Sequence, residues 1–470
     1  MLSKTDYKDY LQNPLHLWAK KHDRLEKLKP TPYEEFLMEQ GNEVEKFAED
    51  FIRESFVKDQ HGVEVFFQQT YIDPPFQTRL DACIYFPNQN TWDIIEIKSS
   101  LSVRKEDIYD ATFSYLVCES SINVRSIYLV TLNPDYQLEE KLEIKDLFTA
   151  TDITMEVNDL KFKIKQERDD AFRIMIQPTS DGIDGCLKPN DCPCPSLCHP
   201  NLPEYPIFNI PFLSQKKAKD LIDKRILSIM DIPENYPFSD KQNRHIKSVK
   251  KGRPIIDRNA IRDSLSELQY PLQFLDYETY NPAIPKIKGF KPHQAIIFQY
   301  SLHIIEKPDA DLIHNGFLSD EYNNPEPGLL NHLSQDLRNT GSVLVWNQSF
   351  EASRNRELAA RYPQAREFLL GMTNRMFDLM EIFRKGYYIH PDFKGSASIK
   401  RVFPILAPSI DIKYSDLHVS HGDDAMVNFH KLVLGGETET EIKEKRKALL
   451  EYCKLDTLAM VEIWRVLSKE

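Results

Sequence analysis

Two groups of acidic residues in this sequence have the types and spacing expected of divalent-cation sites. In the first, Asp81 is followed fifteen residues later by Glu96 and then by Lys98. In the second, Asp276 and Glu278 flank a single tyrosine. Carboxylate oxygens are the ligands that Mg²⁺ and Mn²⁺ prefer, and a cation held by them can activate water for attack on a phosphodiester. Both groups therefore predict metal-assisted hydrolysis.

The first group lies on two segments that predict a β-hairpin. "TRLDACIYF" and "WDIIEIKSS" alternate and are joined by the turn-like "PNQNT". Alternation places Glu96 and Lys98 on one face, with Asp81 near the same level on the facing strand. Lys98 is then placed to orient the attacking water or to stabilise phosphate charge. A Glu/Lys pair on a solvated strand is the alternative, but the apolar neighbours of Asp81 and Glu96 make unpaired charge costly and favour the metal site.

The second group extends over three separated motifs. Asp276 and Glu278, two apart on a strand, point to one side and can bridge two cations about 4 Å apart. Glu351 follows in "WNQSFEASRN", and Tyr452 and Asp456 share one helical face in "EYCKLDTLAM". Taken singly, each pair is also typical of a solvated surface. The ordered set is more specific than any of its parts.

Cysteine use and the N-terminus indicate the compartment. Four of the seven cysteines fall within thirteen residues, at positions Cys186, Cys192, Cys194 and Cys198. The N-terminus lacks the apolar core of a signal peptide, and no apolar run approaches the roughly 20 residues of a membrane span. We therefore predict a reducing cytoplasm and no membrane contact, where clustered cysteines bind metal more often than they form disulfides. The others, Cys83, Cys118 and Cys453, are interpreted as small core residues.

Length and charge limit the architecture. A chain of 470 residues predicts two domains, and 41% hydrophobic with 28% charged residues is typical of globular proteins. The net charge of −12 argues against a protein that coats nucleic acid, but not against a nuclease with an acidic metal site. The basic segment 241–253 is interpreted as a solvated loop, or as a phosphate-contacting surface if catalytic motifs flank it.

The elements that must position these residues are predicted from hydrophobic periodicity. Strands are predicted over 62–72, 78–86, 92–100, 125–133, 272–280, 294–306, 311–319 and 341–347. Helices are predicted over 34–56, 105–120, 350–362, 376–387 and 443–467. Residues 201–265 contain short helical pieces and are interpreted as a basic helical connector.

The first 200 residues resemble the RecB-type nuclease module, including the iron–sulfur nucleases of CRISPR adaptation. "LSKTDYKDYLQNPLHLW", "GNEVEKFAEDF" and the "RLDACIYF…WDIIEIKSS" pair carry this resemblance, together with the terminal cysteines. It implies a PD-(D/E)XK site with Asp81, Glu96 and Lys98. Glu45 stands where relatives add a metal ligand, often His, and Ser114 stands where they carry a Gln that positions DNA.

The same resemblance implies a metal clasp between the two ends of the module. Cys186, Cys192 and Cys198 match three cluster ligands of the relatives, whereas Asn13 stands where they have a fourth, N-terminal cysteine. Cys194 is then the expected fourth ligand, for a [4Fe-4S] cluster or for tetrahedral zinc. The neighbouring His199 offers a further nitrogen.

Residues 266–470 resemble the DEDD exonucleases of the ribonuclease H-like fold, in the tyrosine subtype. Asp276 and Glu278 match the first motif, Glu351 stands where the second has Asp, and Tyr452 and Asp456 match the third. Phrases such as "FLDYETYNPAIP" and "LLEYCKLDTLAMVEIW" also resemble a bacterial family in which a RecB-type nuclease precedes "domain of unknown function 2779".

These patterns together predict an α/β protein of three parts. They are a restriction-endonuclease-like domain over 1–200, the connector over 201–265 and a ribonuclease H-like domain over 266–470. The predicted function is a nuclease dependent on Mg²⁺ or Mn²⁺, with a RecB-like site and a 3′-to-5′ exonuclease site. DNA is expected as substrate in preference to RNA, with helicase, defence or repair proteins as partners. The alternative is a nucleic-acid-binding or scaffold protein in which one or both sites are inactive.

Overall fold

The computed structural model describes residues 1–26, 29–58, 60–410, 419 and 421–470. The chain forms two units: unit 1 consists of Met1–Pro200 and Pro282–Gln294, and unit 2 consists of Asn201–Asn281 and Ala295–Glu470. The described residues form seventeen α-helices and three sheets. The chain is therefore a mixed α/β protein, as the sequence predicts.

Unit 1 is built on a mixed six-stranded sheet. Its strands are β1 (Leu2–Ser3), β2 (Glu64–Asp73), β3 (Phe76–Phe86), β4 (Thr91–Lys98), β5 (Val124–Leu132) and β6 (Phe148–Asp152). They lie in the order β1-β3-β4-β5-β6, and β2 also pairs with β3. β3 and β4 are antiparallel, which confirms the predicted hairpin, and β4 and β5 are parallel.

Helices cover both faces of this sheet. They are α1 (Lys4–Gln12), α2 (Pro14–Lys21), α3 (Pro32–Ile52), α4 (Lys105–Cys118), α5 (Ile144–Leu147), α6 (Thr154–Ile176) and α7 (Pro195–Cys198), with a π-turn at Arg53–Val57 and a 3-10 turn at Pro189–Asp191. Ile95 of β4 packs with Val44 of α3, whereas its neighbour Ile94 packs with Ala111 of α4. Because successive side chains alternate, β4 is buried on both faces.

The second segment of unit 1, Pro282–Gln294, completes the cluster against α3. Ala283 and Ile284 are buried members of that cluster. The backbone of Leu138 exchanges two hydrogen bonds with this segment, donating to the Phe290 carbonyl at 3.0 Å and accepting from the Gly289 N–H at 2.7 Å. This segment is therefore part of the core of unit 1.

Unit 2 contains a five-stranded sheet in the order β10-β9-β8-β11-β12. The strands of unit 2 are β7 (Ile255–Ile256), β8 (Leu272–Tyr280), β9 (Ile296–Ile305), β10 (Leu312–Leu318), β11 (Val343–Val345), β12 (Met376–Asp378) and β13 (Tyr388–Ile389). β8, β9 and β10 pair antiparallel, and β11 runs parallel to both β8 and β12. β7 and β13 form a separate pair.

The helices of unit 2 pack on this sheet or extend the segment before it. They are α8 (Gln215–Asp223), α9 (Asp240–Lys251), α10 (Arg258–Leu265), α11 (Glu326–Asp336), α12 (Gln348–Arg361), α13 (Arg366–Thr373), α14 (Glu381–Arg384), α15 (Ile399–Leu406), α16 (Gly422–Leu434) and α17 (Glu439–Leu467). Short 3-10 turns occur at Ile207–Asn209, Ile229–Asp231, Pro363–Ala365 and Pro391–Phe393. No helix in the described ranges is both long enough and apolar enough to cross a lipid bilayer.

The structure differs from the predicted elements in several places. Residues 376–387 are not one helix, because the first three form β12 and pair with β11. α6 was not predicted, since its buried positions are few and widely spaced in a polar sequence. Residues 201–265, interpreted as a connector, belong to unit 2.

The basic segment 241–253 forms a helix rather than the expected loop. Ser239 caps α9, since its hydroxyl accepts from the Gln242 N–H and the Gln242 side chain accepts from the Ser239 N–H. Gly252 ends the helix with a left-handed φ of 59°, a conformation that glycine adopts without strain. His245 and Val249 lie on its buried face.

Gly341 allows a close approach between the segments that precede β8 and β11. Its φ is +80°, and a Cβ at this position would lie 2.1 Å from the Pro271 carbonyl oxygen. We expect Gly341→Ala to reduce the free energy of unfolding by more than about 3 kcal/mol, because backbone strain adds to a clash that only backbone movement relieves. Denaturant unfolding followed by circular dichroism measures this.

Gly252→Ala is the matched control for that substitution. Its φ of +59° is also left-handed, but a Cβ there would have nothing within 4 Å. The expected loss is about 1 kcal/mol, from the backbone conformation alone. Equal losses at the two glycines would contradict the packing argument.

Candidate functional site

The acidic residues of unit 2 converge at the ends of adjacent strands. β8 carries Asp276 and Glu278, and β11 runs parallel to it with Leu344 opposite Phe274. The chain leaves β11 and enters α12, the first turn of which carries Glu351. Because β8 and β11 point the same way, these three carboxylates meet at one edge of the sheet, as the ordered motifs predict.

The start of α12 is fixed by Asp378, which the sequence analysis did not select. Its carboxylate accepts from the backbone N–H groups of Asn347 at 3.2 Å, Gln348 at 3.0 Å and Met380 at 3.0 Å. Asn347 has a left-handed φ of 84°, which asparagine tolerates better than most residues. The available signal was an acid at the end of a short strand, but 376–387 was interpreted as a helix.

α17 brings Tyr452 and Asp456 to the same edge of the sheet. The Thr457 hydroxyl lies 2.7 Å from Ser301 Oγ and 2.8 Å from His303 Nδ1, both on β9. In addition, Gln299 of β9 donates to a carbonyl of α17 at 2.8 Å. These buried hydrogen bonds hold the helix in one register on the sheet. Tyr452 and Asp456 are both buried.

Negative charge is concentrated at this edge. Burial and then the charge of Asp456 raise the pKa of Asp276, and burial and then Asp276 raise the pKa of Glu278. Lys400 opposes both shifts. Cys453 lies beside them, with its Sγ 3.6 Å from Asp276 Oδ2. One ligand atom from each of Asp276, Glu278 and Cys453 falls within 4.8 Å of the others, so these side chains can share a cation.

Glu351 lies deeper in the same cluster. Its side chain is 1% exposed, and Oε2 has no hydrogen-bond partner in the described part of the chain. Burial and then the charge of Asp276 raise the pKa of Glu351. A buried carboxylate without a partner is costly. A cation bound beside Asp276 would lower the free-energy cost of burying the Glu351 carboxylate.

Tyr452 and Lys400 face each other at this site. Lys400 Nζ lies 5.2 Å from the centroid of the Tyr452 ring, within the range of a cation–π contact. Lys400 is the second residue of α15. From the sequence, Lys394, Lys400 and Arg401 are interpreted either as phosphate contacts beside a Gly-Ser turn or as part of a plain loop. Cys453, interpreted as a core residue, is buried but also contacts a predicted metal ligand.

The first predicted group also forms a cluster, within unit 1. Glu96 is fully buried, and Lys98 Nζ lies 3.6 Å from its Oε2. Asp81 lies beside it and accepts from the Ile97 N–H at 2.8 Å. Burial and then the charge of Glu96 raise the pKa of Asp81 to about 7. Burial opposes ionisation of Glu96, but the charges of Lys4 and Lys98 lower its pKa to about 2.

Lys4, at the start of α1, is one residue of this cluster that sequence reasoning missed. Its Nζ lies 2.7 Å from Oε1 and 2.8 Å from Oε2 of Glu96. β1 pairs with the start of β3, and α1 follows at once, which brings Lys4 to this end of the sheet. An ammonium group therefore neutralises the carboxylate that was predicted to bind a metal. No local sequence pattern indicates this contact.

Helix α4 adds further polar groups to the unit 1 cluster. Asp110 accepts from Lys98 at 3.0 Å and pairs with Lys8 at 2.5 Å. Ser114 donates to Glu96 Oε1 at 3.1 Å, so the position where relatives carry Gln does face this site. Asp110 was not selected from the sequence, although a buried acid in an apolar helix is a usable signal.

The Glu45 side chain is paired with a residue of β2. Its Oε1 accepts a hydrogen bond from the Gln68 side chain on β2. Among the described residues, the groups of three or more ligating side chains within 4.8 Å of one another include none of Glu45, Asp81 and Glu96. The predicted role of Glu45 as a metal ligand has no support in this arrangement.

The cysteine segment forms a third cluster, and its membership differs from the prediction. Atoms of His16, Cys186, Cys192 and Cys198 all lie within 4.8 Å of one another. Cys194 Sγ lies 3.7 Å from Cys198 Sγ but is outside that group. His199 Nε2 lies 3.4 Å from Cys186 Sγ. A side chain from the N-terminal region therefore lies in this cluster, and it is His16, one helical turn after Asn13.

One stretch of the chain is similar to a protein family. Residues 273–398 match the family model "Domain of unknown function (DUF2779)". The match includes β8 and the start of α12, and so Asp276, Glu278 and Glu351, but it ends before α17.

Two further similarities are distant. The chain is 25% identical over 276 residues to "Uncharacterized protein UU173" of Ureaplasma parvum serovar 3, an alignment that covers 54% of this chain and 39% of that protein. This chain therefore spans about two fifths of the length of that relative. A solved structure described as "Crystal structure of SSO0001" aligns at 15% identity with 37% of this chain and 77% of its own chain, with a TM-score of 0.22.

The carboxyl groups of unit 2 predict that the metal-free protein loses stability as the pH rises. Burial raises the pKa values of Asp276, Glu278 and Glu351 above their usual range. Between the unfolded and folded pKa values the folded state binds more protons, so its stability falls as pH increases. We expect Glu351→Gln to raise the melting temperature of EDTA-treated protein by a few degrees at about pH 8, with little change at about pH 5.

Glu367→Gln is the control for this measurement, because Glu367 is an exposed glutamate in α13 of the same unit. Glu367→Gln should leave the melting temperature unchanged at both pH values. A Glu351→Gln protein that melts lower than wild type at the higher pH would contradict the charge argument, and thermal scans by circular dichroism decide between the outcomes.

Proposed function

We propose that this chain is a metal-dependent nuclease that hydrolyses phosphodiester bonds in DNA. The observation that carries the proposal is the convergence of Asp276, Glu278, Glu351 and Asp456 at one edge of a sheet, with a buried carboxylate oxygen left unpaired. The proposed fold of residues 266–470 is ribonuclease H-like, and their site is a 3′-to-5′ exonuclease of the tyrosine subtype. Support comes from the sheet, in which the strand carrying the first motif separates antiparallel from parallel neighbours.

The proposed roles in unit 2 follow from chemistry and position. A bound Mg²⁺ or Mn²⁺ would activate water and stabilise the leaving oxygen. Asp276, Glu278 and Asp456 supply hard oxygen ligands. The Tyr452 hydroxyl orients the attacking water, and Lys400 places a positive charge where the phosphate becomes more negative. Glu351 stands where the second motif of the DEDD exonucleases has Asp, and its side chain lies on the buried side of the cluster.

Unit 1 is proposed as a second, RecB-like nuclease site. Asp81 and Glu96 offer oxygen ligands, and Lys98 is close enough to Glu96 to act on a substrate phosphate beside it. Lys4, however, already bridges both oxygens of Glu96. A cation can take that position only if Lys4 moves away, so we assign the main activity to unit 2.

The proposal also includes a cytoplasmic location and helicase, defence or repair proteins as partners.

The competing function is a binding or scaffold protein with inactive sites. Glu351 in place of Asp, and Lys4 on Glu96, are the two observations that favour it. A protein of this class would bind single-stranded DNA and leave it intact.

Digestion of end-labelled single-stranded DNA in Mg²⁺ or Mn²⁺ separates the two functions. We expect Asp276→Ala to reduce the cleavage rate at least about 100-fold, because several kcal/mol of metal-derived stabilisation are lost. Lys98→Ala should remove only the smaller contribution of unit 1. If wild type cuts no faster than the Lys98→Ala, Asp276→Ala double variant, the enzyme function is wrong, and retained DNA binding would favour the scaffold.

Glu45→Gln is the matched control within unit 1. Because Glu45 pairs with Gln68 rather than with Asp81 and Glu96, we expect its substitution to leave cleavage within about two-fold of wild type, as for a surface change. Glu96→Gln should abolish whatever cleavage survives Asp276→Ala. A large loss of cleavage rate in Glu45→Gln would indicate that Glu45 acts at the unit 1 site.

A further inference from the structure

The third cluster contains a histidine whose burial needs an explanation. His16 is 8% exposed and lies among apolar side chains and thiols. Its Nδ1 is buried without a hydrogen-bond partner in the described ranges, and its Nε2 lies 3.6 Å from Cys192 Sγ. A buried polar ring with such weak partners is costly. A metal ion bound by Nε2 and the sulfurs would replace the weak contact between Nε2 and the Cys192 thiol with coordinate bonds.

The spacing of the ligand atoms corresponds to one tetrahedral ion. Zn–S bonds of about 2.3 Å and Zn–N bonds of about 2.0 Å place neighbouring ligand atoms about 3.5 to 3.8 Å apart. The Nε2 of His16 and the Sγ of Cys192 are 3.6 Å apart, and all four ligand atoms lie within 4.8 Å of one another. Three sulfurs and one imidazole nitrogen form a donor set that is typical of structural zinc.

A four-iron cluster does not fit this arrangement. Each thiolate of a [4Fe-4S] cluster binds a different iron atom, so its ligands stand farther apart than ligands that share one ion. The close group also contains a histidine where that cluster has a fourth cysteine. Cys194, the expected fourth thiolate, lies outside the group.

Hydrogen bonds around the cluster hold α2 against the segment that leads to the cysteines. Asn13 caps α2 by accepting from the Leu15 N–H at 3.0 Å, and its amide donates to the Asp184 carbonyl at 3.2 Å. Trp18 donates to the Gln177 carbonyl at 2.8 Å. The first turn of α2, which carries His16, is therefore fixed against the segment that carries the cysteines.

Gly185 permits the closest approach within that segment. A Cβ at this position would lie 2.5 Å from the Cys198 carbonyl oxygen. Only glycine therefore lets Cys186 and Cys198 come together without moving the backbone.

We infer that His16, Cys186, Cys192 and Cys198 bind one zinc ion, which links α2 to the end of unit 1. The site is closed, because four protein ligands leave no open position for water or substrate. Its role is structural: it closes a long loop of unit 1 and thereby restricts the unfolded chain. This inference is independent of the nuclease proposal.

Metal analysis of the whole 470-residue chain, purified anaerobically with iron and zinc both present during expression, is the first test. We expect about one zinc ion per chain and no visible thiolate-to-iron absorption band. About four iron atoms per chain with such a band would overturn the inference, and so would the absence of both metals.

Variants then test the ligand set. His16→Ala should reduce zinc content at least about ten-fold and lower the melting temperature, whereas Cys194→Ser should change neither. His16→Cys should retain zinc, since four thiolates also form a tetrahedral site. Zinc retained in His16→Ala and lost in Cys194→Ser would overturn the assignment.

Cobalt substitution gives a readout that does not depend on the stability of any alanine variant. In Co²⁺-loaded protein, His16→Cys should move the d–d bands to longer wavelength, because a nitrogen ligand is replaced by a thiolate. Cys194→Ser should leave the spectrum unchanged. The reverse pattern would identify Cys194, and not His16, as the fourth ligand.

Discussion

The structure of unit 2 depends on keeping several carboxylates together at the edge of an apolar sheet. Asp276 and Glu278 lie on a strand whose other side chains form the core, so they cannot turn to solvent without displacing that strand. The elements around them are held by specific hydrogen bonds. Asp378 fixes the entry to α12, and Thr457 fixes the register of α17. Such support is expected where local electrostatics oppose folding.

The two acidic clusters differ in how the charge of their buried carboxylates is compensated. In unit 1, Glu96 receives two lysines from separate elements, so its charge is compensated by the chain itself. In unit 2, Lys400 is the cation that acts on both Asp276 and Glu278, and Glu351 retains an unpaired oxygen. The cluster with less internal compensation has the greater need of an external cation. This difference is the physical reason for ranking the two sites.

Sequence patterns predicted the strands that carry the acids more successfully than the contacts made by those acids. β8 matches its prediction because its apolar residues and flanking turns are local signals. The contacts of Lys4 and His16 span 92 and 176 residues to their partners, and no local pattern indicates such pairs. Cys453 illustrates the same limit: its buried surroundings were predicted, but its carboxylate neighbour lies on a distant strand. The position of Asp378 was missed because a three-residue strand is too short to show a period.

The segment Pro282–Gln294 limits where this chain can be divided into fragments. The polypeptide passes between its two units at three points, after Pro200, Asn281 and Gln294. A fragment ending at residue 200 would lack Ala283 and Ile284 from its core, and a fragment beginning at residue 201 would carry those apolar side chains without their cluster. A single cleavage or gene break at that junction therefore damages unit 1 and leaves unit 2 with an exposed apolar loop. A division of this chain that keeps the core of unit 1 must therefore leave Pro282–Gln294 with that unit.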